Sequence, residues 1–389
     1  MHIAIDAMPI SENSPAGVAT YSLNLLNNIA ALDGVNRYTI YGSRFNLHDL
    51  GIKNENFKNN PPPIIFNHPS PWYYWIPWYY TGFPFQLLLS KPDIYLSTYP
   101  ALPWYCPCPK IITVYDLTSQ FMKDNFMMHT RLRMGYQIAY AVKNADRIIS
   151  VSNYTKKDII NILGIAPEKI SVIYAGYDDK TFKPVEKFQV EKTLHKYNIS
   201  GKYILFTGTF EPKKNIPRLI DAFSRLKKNH RIQHKLVLSG KRTYGDKTIF
   251  DLISATGYDK DIIITGYIPR EDLPLLMNGA ELFIFPSIHE GFGIPPLEAM
   301  ACGTPVIASN TCSLPEVVGA AGLLVNPYDA DAIAEAMYTV LSNENLRETM
   351  KCRGIERAKL FSWRKSAWEV LNVIESVYHD GHKDRHRVL

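Results

Sequence analysis

The chain has 389 residues, and hydrophobic cores stop growing near ~250–300 residues, so two domains are expected. Hydrophobic residues at 46% against 21% charged exclude a disordered, collagenous or coiled-coil chain. The net charge of +6 is spread evenly, with 17 basic and 14 acidic side chains in residues 1–190, which is no basic arm and argues against a nucleic-acid partner.

In chain order, short β-branched runs at residues 2–7, 37–42, 93–98, 110–115, 147–152 and 170–175 read as strands. Helical periodicity fills residues 18–32, 128–144 and 154–163. Apolar runs without alternation mean burial on both faces, as in a parallel sheet covered by helices. Residues 177–200 are polar and read as a linker with one helix. A second series follows, with strands at 203–208, 235–240, 261–266, 281–286, 304–308 and 322–325 and helices at 216–229, 295–302 and 330–341. Two doubly wound α/β domains in tandem are predicted, residues 1–176 and 177–361, with ligands at strand carboxyl ends and in the cleft between domains. The chain opens on a strand rather than on the basic and apolar regions of a signal peptide, so a cytoplasmic location is expected. The five cysteines are odd in number and lack metal-site spacing, and read as incidental thiols.

The 12% of aromatic residues crowd into residues 71–89, which hold nine aromatics and no charge. Pro71, Pro77 and Pro84 oppose a membrane span, because each interior proline removes a hydrogen bond that lipid cannot replace. Two readings stand: a loop whose rings pack into the first domain, or a patch around Trp72, Trp75 and Trp78 that meets a membrane surface or a lipid-linked acceptor. Residues 123–158, with seven basic and three acidic side chains, suit anionic lipid or a solvated helix face.

The chemistry points to a nucleotide. No G-x-x-x-x-G-K-[ST] loop and no G-x-G-x-x-G after the first strand exist, which argues against a Walker-type ATPase and a nicotinamide dehydrogenase. In residues 285–303 an apolar strand ends at Pro286, a loop with Gly291 and Gly293 follows, and a helix opens at Pro295 or Pro296. Loop amides at a helix start form an anion site. Glu298, taken to lie in the first turn, can accept from a ribose diol or merely favour the helix dipole. Glu290 would point beyond the phosphates. In Gly208-Thr-Phe-Glu-Pro-Lys-Lys-Asn215 a strand ends in glycine, Lys213 and Lys214 follow, and Asn215 is placed to cap the next helix. Two cations there would offset a departing diphosphate, unless they are simply a solvated pair.

These windows resemble the retaining glycosyltransferases of family 4, which have the GT-B fold of two Rossmann-like domains facing a central cleft. The resemblance runs nearly end to end: Ile3-Ala-Ile-Asp-Ala with Pro15-Ala-Gly-Val-Ala-Thr-Tyr, Ala145-Asp-Arg-Ile-Ile-Ser-Val-Ser152, and residues 285–315 with Glu290 and Glu298 at the family's spacing. Residues 208–215 are similar to the mannosyltransferase-like branch, whose usual donor is GDP-mannose. The resemblance implies that Glu290 contacts the donor sugar, Glu298 the ribose, and Lys214 the diphosphate, assisted by the amides of Gly291, Phe292, Gly293 and Ile294. It implies that Gly17 lets a first-domain loop approach the donor, and that a last helix, residues 362–380, packs back on the first domain. The sequence departs from the family twice: Thr209 stands where many members have arginine, leaving Lys213 to supply charge, and Tyr115-Asp116 stands where many have His-Asp. Either Asp116 positions the acceptor or the donor phosphate receives its proton.

The expectation is a retaining, metal-independent hexosyltransferase with no cofactor, using a nucleotide-diphosphate sugar and a glycan or polyprenyl-linked acceptor, in peripheral contact with a membrane. A UDP-sugar transferase, an epimerase or phosphorylase of the same fold, and a non-catalytic binding subunit are the alternatives.

Overall fold

The computed structural model describes residues 1–10, 17–42, 46–61, 75–118, 128–241 and 247–387. The chain divides into two compact units, Met1–Gly176 with Trp363–Leu389, and Tyr177–Ser362.

The first unit is a seven-stranded parallel sheet: β1 (His2–Asp6), β2 (Arg37–Tyr41), β3 (Phe57–Asn59), β4 (Ile94–Ser97), β5 (Lys110–Val114), β6 (Arg147–Ser150) and β7 (Ile170–Val172), in the order β3-β2-β1-β4-β5-β6-β7. The register sets Ile3 against Ile94 and Asp6 against Ser97, so β1 and β4 end level. Burial on both faces explains the unbroken apolar runs: Ile3, Ala4, Ile5, Ile94, Tyr95 and Leu96 have no exposure. The edge strand β3 was not foreseen, because Phe-Lys-Asn holds one apolar residue. Phe57 joins the core by stacking on Tyr38 at 4.2 Å.

The second unit repeats the plan with β8 (Tyr203–Thr207), β9 (Lys235–Ser239), β10 (Ile262–Gly266), β11 (Leu282–Phe285), β12 (Val306–Ser309) and β13 (Leu323–Val325), ordered β10-β9-β8-β11-β12-β13. Strand order reverses between β1 and β4 and between β8 and β11, although all the strands run parallel. Loops leaving those strand pairs diverge, which opens a crevice at their carboxyl ends. Residues 177–200, read as a linker with one helix at the start of the second domain, pack into this unit: Phe182 is buried and helix Lys187–Lys196 packs on helix Leu273–Gly279.

The aromatic segment forms two helices, Trp75–Tyr80 and Gly82–Ser90. Pro77 and Pro84 each fall in a first turn, where the missing N–H breaks no intrahelical bond, so the prolines start these helices rather than breaking them. Of the two readings open for Trp78, packing into the first domain holds and the surface patch does not: it is a core residue at 1% exposure, stacked on Phe83 at 5.1 Å. Gly82 makes room for it, since a Cβ there would lie 2.7 Å from Trp78 Cδ1. Trp72 and the side chain of Trp75 lie outside the described residues. The final helix, Trp363–Arg387, is grouped with the first unit and packs along helix Gly17–Leu32, with Trp363 edge-on to Tyr21 at 5.1 Å. Among the described residues no helix is long and apolar enough to cross a membrane.

Candidate active site

The loops after β8 and β11 carry most of the residues singled out above, and the sheet order brings them together. Residues 208–215 leave β8, close in a turn at Pro212–Lys214, and lead into helix Ile216–His230. Residues 286–293 leave β11 and lead into helix Ile294–Ala301. The loops are bonded to each other, Ile288 N donating to Lys213 O at 2.8 Å.

Asn215 completes this joint. It does not cap the following helix, as expected from its position: its backbone sits in the left-handed region at φ 62° and turns the side chain away. The amide Nδ2 donates to the carbonyls of Pro286 (3.0 Å) and Pro327 (2.6 Å), holding three segments in register.

Lys214 and Glu290 meet as a nearly buried ion pair, Nζ to Oε1 at 2.6 Å, each side chain 11% exposed. The ammonium lies 4.7 Å from the centre of the Phe285 ring. Burial alone would raise the Glu290 carboxyl, but Lys214 and Lys213 outweigh it and hold the group below its ordinary range. Glu290 is thus an anion at neutral pH. A diphosphate arriving beside Lys214 would compete with this carboxylate for the ammonium, and a hydroxyl could then donate to the carboxylate left behind. Thr209 turns inward on its own loop, its hydroxyl donating to Glu211 at 3.0 Å.

The loop before helix Ile294–Ala301 has a fixed shape. Gly293 adopts φ 112°, and a Cβ there would meet Leu314 Cδ2 at 2.7 Å, so any other residue would be strained and would displace Leu314. Ser313, fully buried, sets its hydroxyl 2.9 Å from Glu290 O and 2.8 Å from Phe292 O, turning both carbonyls toward helix Leu314–Val318. The sequence analysis missed Ser313, for which a serine 23 residues downstream of Glu290 gave no signal. The helix opens at Ile294, before the expected Pro295 or Pro296, so Glu298 stands in the second turn rather than the first. Pro295 and Pro296 remove two of the first-turn N–H groups, so backbone donors must come from residues 291–294 rather than from the helix.

Glu298 is 4% exposed, and among the described residues its Oε1 accepts no hydrogen bond. Among the described residues its close cation is Arg270, Nη1 at 3.5 Å, which also lies over the Phe182 ring at 5.0 Å. Desolvation pushes the carboxyl up to about 7, Arg270 drawing it down and Asp178 adding to the rise. A buried carboxylate oxygen without a donor costs about 1–3 kcal/mol, which a pair of ribose hydroxyls would recover.

At the carboxyl ends of β8, β9 and β10 the backbone closes tightly. Gly208 N donates to Ser239 O and Gly240 N to Gly266 O, both at 2.9 Å, and a Cβ on Gly240 would fall 1.8 Å from Gly208 O.

In the first unit, Tyr115 gives its hydroxyl to the carbonyl of Thr98 and sets its ring edge-on to Tyr21 at 5.0 Å. Burial raises its pKa well above the ordinary phenol range, so it is no proton carrier. Asp116 Oδ1 accepts from Thr118 N at 3.0 Å, and the Asp116 charge, after burial, helps push Asp158 up to about 6. Gly17 opens helix Gly17–Leu32, and among the described residues nothing lies within 4 Å of a built Cβ there. The strongest polar constellation of this unit was not foreseen. Asp6, buried at the end of β1, accepts from Tyr95 (2.8 Å), Tyr79 (3.2 Å) and Tyr99 (3.2 Å). Desolvation raises its carboxyl to about 6 despite the three phenols. Nothing in the spacing of these four residues signals that they meet.

Residues 15–181 match the family model Glycosyltransferase Family 4, and residues 189–357 match Glycosyl transferases group 1. The chain is 35% identical over 267 residues to O-antigen chain mannosyltransferase B of Escherichia coli, covering 68% of this chain and 69% of that protein. It is 31% identical over 282 residues to the serotype-specific mannosyltransferase WbdA of Escherichia coli, covering 71% of this chain but 34% of that protein. Among solved structures, sucrose-phosphate synthase of Thermosynechococcus elongatus has the same fold, with a TM-score of 0.78 at 20% identity over 97% of this chain and 99% of that one.

Proposed function

The chain belongs to the family 4 glycosyltransferases of GT-B fold, and from that premise we propose that it moves mannose from GDP-mannose to a hydroxyl of a growing surface polysaccharide, with retention and without a metal. The observation that carries the reading is the Lys214–Glu290 pair at the point where strand order reverses in the second unit, with buried Glu298, whose Oε1 accepts no hydrogen bond among the described residues, in the helix that follows.

The donor docks on the second unit. Its ribose diol donates to Glu298, and its diphosphate takes Lys214, with Lys213 and the amides of residues 291–294 alongside. Glu290, released from the ammonium, accepts from the mannosyl hydroxyls. As the bond from the anomeric carbon to the diphosphate breaks, two lysines and fixed dipoles stabilise the growing charge, the role a metal has elsewhere. The acceptor hydroxyl attacks from the leaving-group face and gives its proton to the departing phosphate oxygen. Asp116, on the first unit, is assigned to the acceptor. Mannosyl specificity and the polysaccharide acceptor are supported by the mannosyltransferases of Escherichia coli at 35% and 31% identity.

Thermal unfolding with a panel of GDP- and UDP-sugars tests the donor. At 100 times its dissociation constant the true donor adds about 2.7 kcal/mol. GDP-mannose is expected to stabilise the second unit, and stabilisation by UDP-sugars alone would overturn the mannosyl reading. The anomeric configuration of the product, read by NMR, tests retention.

A further inference from the structure

Three segments of the second unit meet at the carboxyl of Glu298, and Arg270 joins them. Arg270 stands in the turn between β10 and helix Leu273–Gly279, where the Pro269 carbonyl accepts from Asp272 N at 3.1 Å and Leu273 N at 3.2 Å. Its guanidinium lies 5.0 Å from the centre of the Phe182 ring, and its Nη1 is 3.5 Å from Glu298 Oε1. Phe182 is a firm platform: it is 1% exposed, and its N donates to Asp178 O at 2.8 Å. A planar guanidinium on an aromatic face is held in orientation as an ammonium is not.

The distances decide what Arg270 does to Glu298. At 3.5 Å, Nη1 attracts the carboxylate charge but lies beyond the ~2.7–3.2 Å of a good hydrogen bond. Oε1 therefore keeps its lone pairs for an incoming group. Among the described residues, the other titratable groups facing this carboxyl are Asp178 and the thiol of Cys302. Asp178 opposes ionisation of Glu298, while its own oxygens are turned to their loop and accept from Thr181 Oγ1 at 2.6 Å and Lys180 N at 3.2 Å. Burial and the Glu298 charge push the Cys302 thiol up, so it brings no charge of its own. Arg270 is thus the counterweight to burial and Asp178 together.

From this packing we infer that Arg270 is a positioning residue for the donor: it keeps Glu298 an ionised, acceptor-only carboxylate for the two ribose hydroxyls, and so sets the pH range over which the donor binds. The inference rests on the assignment of Glu298 to the ribose in the proposed function. A carboxylate accepts through both oxygens, whereas the protonated acid turns one of them into a donor and loses the charge-assisted bonds. With the Glu298 carboxyl at about 7, donor affinity falls as pH drops through neutrality, because protons and the diol compete for the same oxygens. Taking Arg270 away moves that fall to higher pH.

Equilibrium titration of the full chain with GDP-mannose, whose esterified phosphates hold their charge across this range, tests it. The wild-type dissociation constant is expected to rise about tenfold between about pH 8 and pH 6. Arg270→Met should bind about threefold or more weaker than wild type at about pH 8 and approach it near pH 9, and Arg270→Lys should restore most of the loss. The ratio of GDP to 2′,3′-dideoxy-GDP affinity, from which titration of the terminal phosphate cancels, should fall between the same pH values by about as much. A wild-type affinity or ratio that does not change with pH overturns the inference. So does an Arg270→Met loss of the same factor at every pH, which would show Arg270 touching the ligand itself. UDP-glucose shares the ribose and the diphosphate, and separates this inference from the mannosyl reading. A pH-dependent UDP-glucose affinity, lost at about pH 8 in Arg270→Met and without GDP-mannose binding, upholds the role of Arg270 and overturns the mannosyl donor. Binding of neither ligand by chain with a normal melting curve overturns both.

Discussion

At the scale of single residues, Lys214 and Glu290 depend on each other for their burial. Removing one partner of a buried pair leaves the other charge uncompensated and costs about 3–5 kcal/mol. Lys214→Ala and Glu290→Ala should each destabilise the second unit by roughly that much, and the double variant by clearly less than the sum. Urea unfolding of the four proteins measures it, and strict additivity would deny the coupling. Both single variants should also lose transfer. Glu298 gives a pH prediction. Its folded carboxyl stands at about 7 against an ordinary 4.5, so its stabilising share is complete below pH 4.5 and is lost as pH rises through about 7. The full shift corresponds to about 3 kcal/mol. Glu298→Gln should therefore flatten the fall in second-unit stability between pH 4.5 and 7, and Arg270→Met should steepen it at the upper end. A Glu298→Gln curve parallel to wild type would contradict this origin.

Elements are held by close approaches that few residues permit. The carboxyl ends of β8, β9 and β10 meet through Gly208, Gly240 and Gly266. Gly240→Ala sets a methyl against a backbone oxygen that cannot move alone, at a positive φ besides, and should cost at least about 3 kcal/mol in chemical denaturation. A change below about 1 kcal/mol would show that the strand ends can part. In the first unit Trp78 fills the space between helix Trp75–Tyr80 and the sheet, and Trp78→Ala should cost about 3–5 kcal/mol. The proline-punctuated aromatic segment reads as loop or patch because a single sequence does not show which turn of a helix a proline enters. Both prolines enter at the first.

At the scale of the whole molecule, two parallel sheets of one plan, each with its own core, should unfold as separable units. The last helix belongs to the first of them, burying Ala367, Val370, Ile374 and Val377. Truncation after Ser362 should lower or abolish the melting transition of the first unit and leave the donor-stabilised transition of the second in place. Calorimetry with and without GDP-mannose separates the two, and an equal loss in both would refute the assignment.

Composition and hydrophobic runs by themselves determined two parallel-sheet units, because burial on both faces leaves an apolar signature that needs no partner to be read. The glycine and proline punctuation of residues 285–303, with its two glutamates, likewise marked the loop of the candidate site, since those residue types restrict the backbone wherever they occur. Tertiary structure alone decided the rest. That Lys214 reaches Glu290, that Asn215 ties loops rather than capping a helix, that three tyrosines converge on Asp6, and that Trp78 faces inward while Trp104 faces out are facts about residues far apart in the chain. The aromatic excess was plain in the composition. Its division into core and surface was set by which side of two short helices the sheet happened to cover.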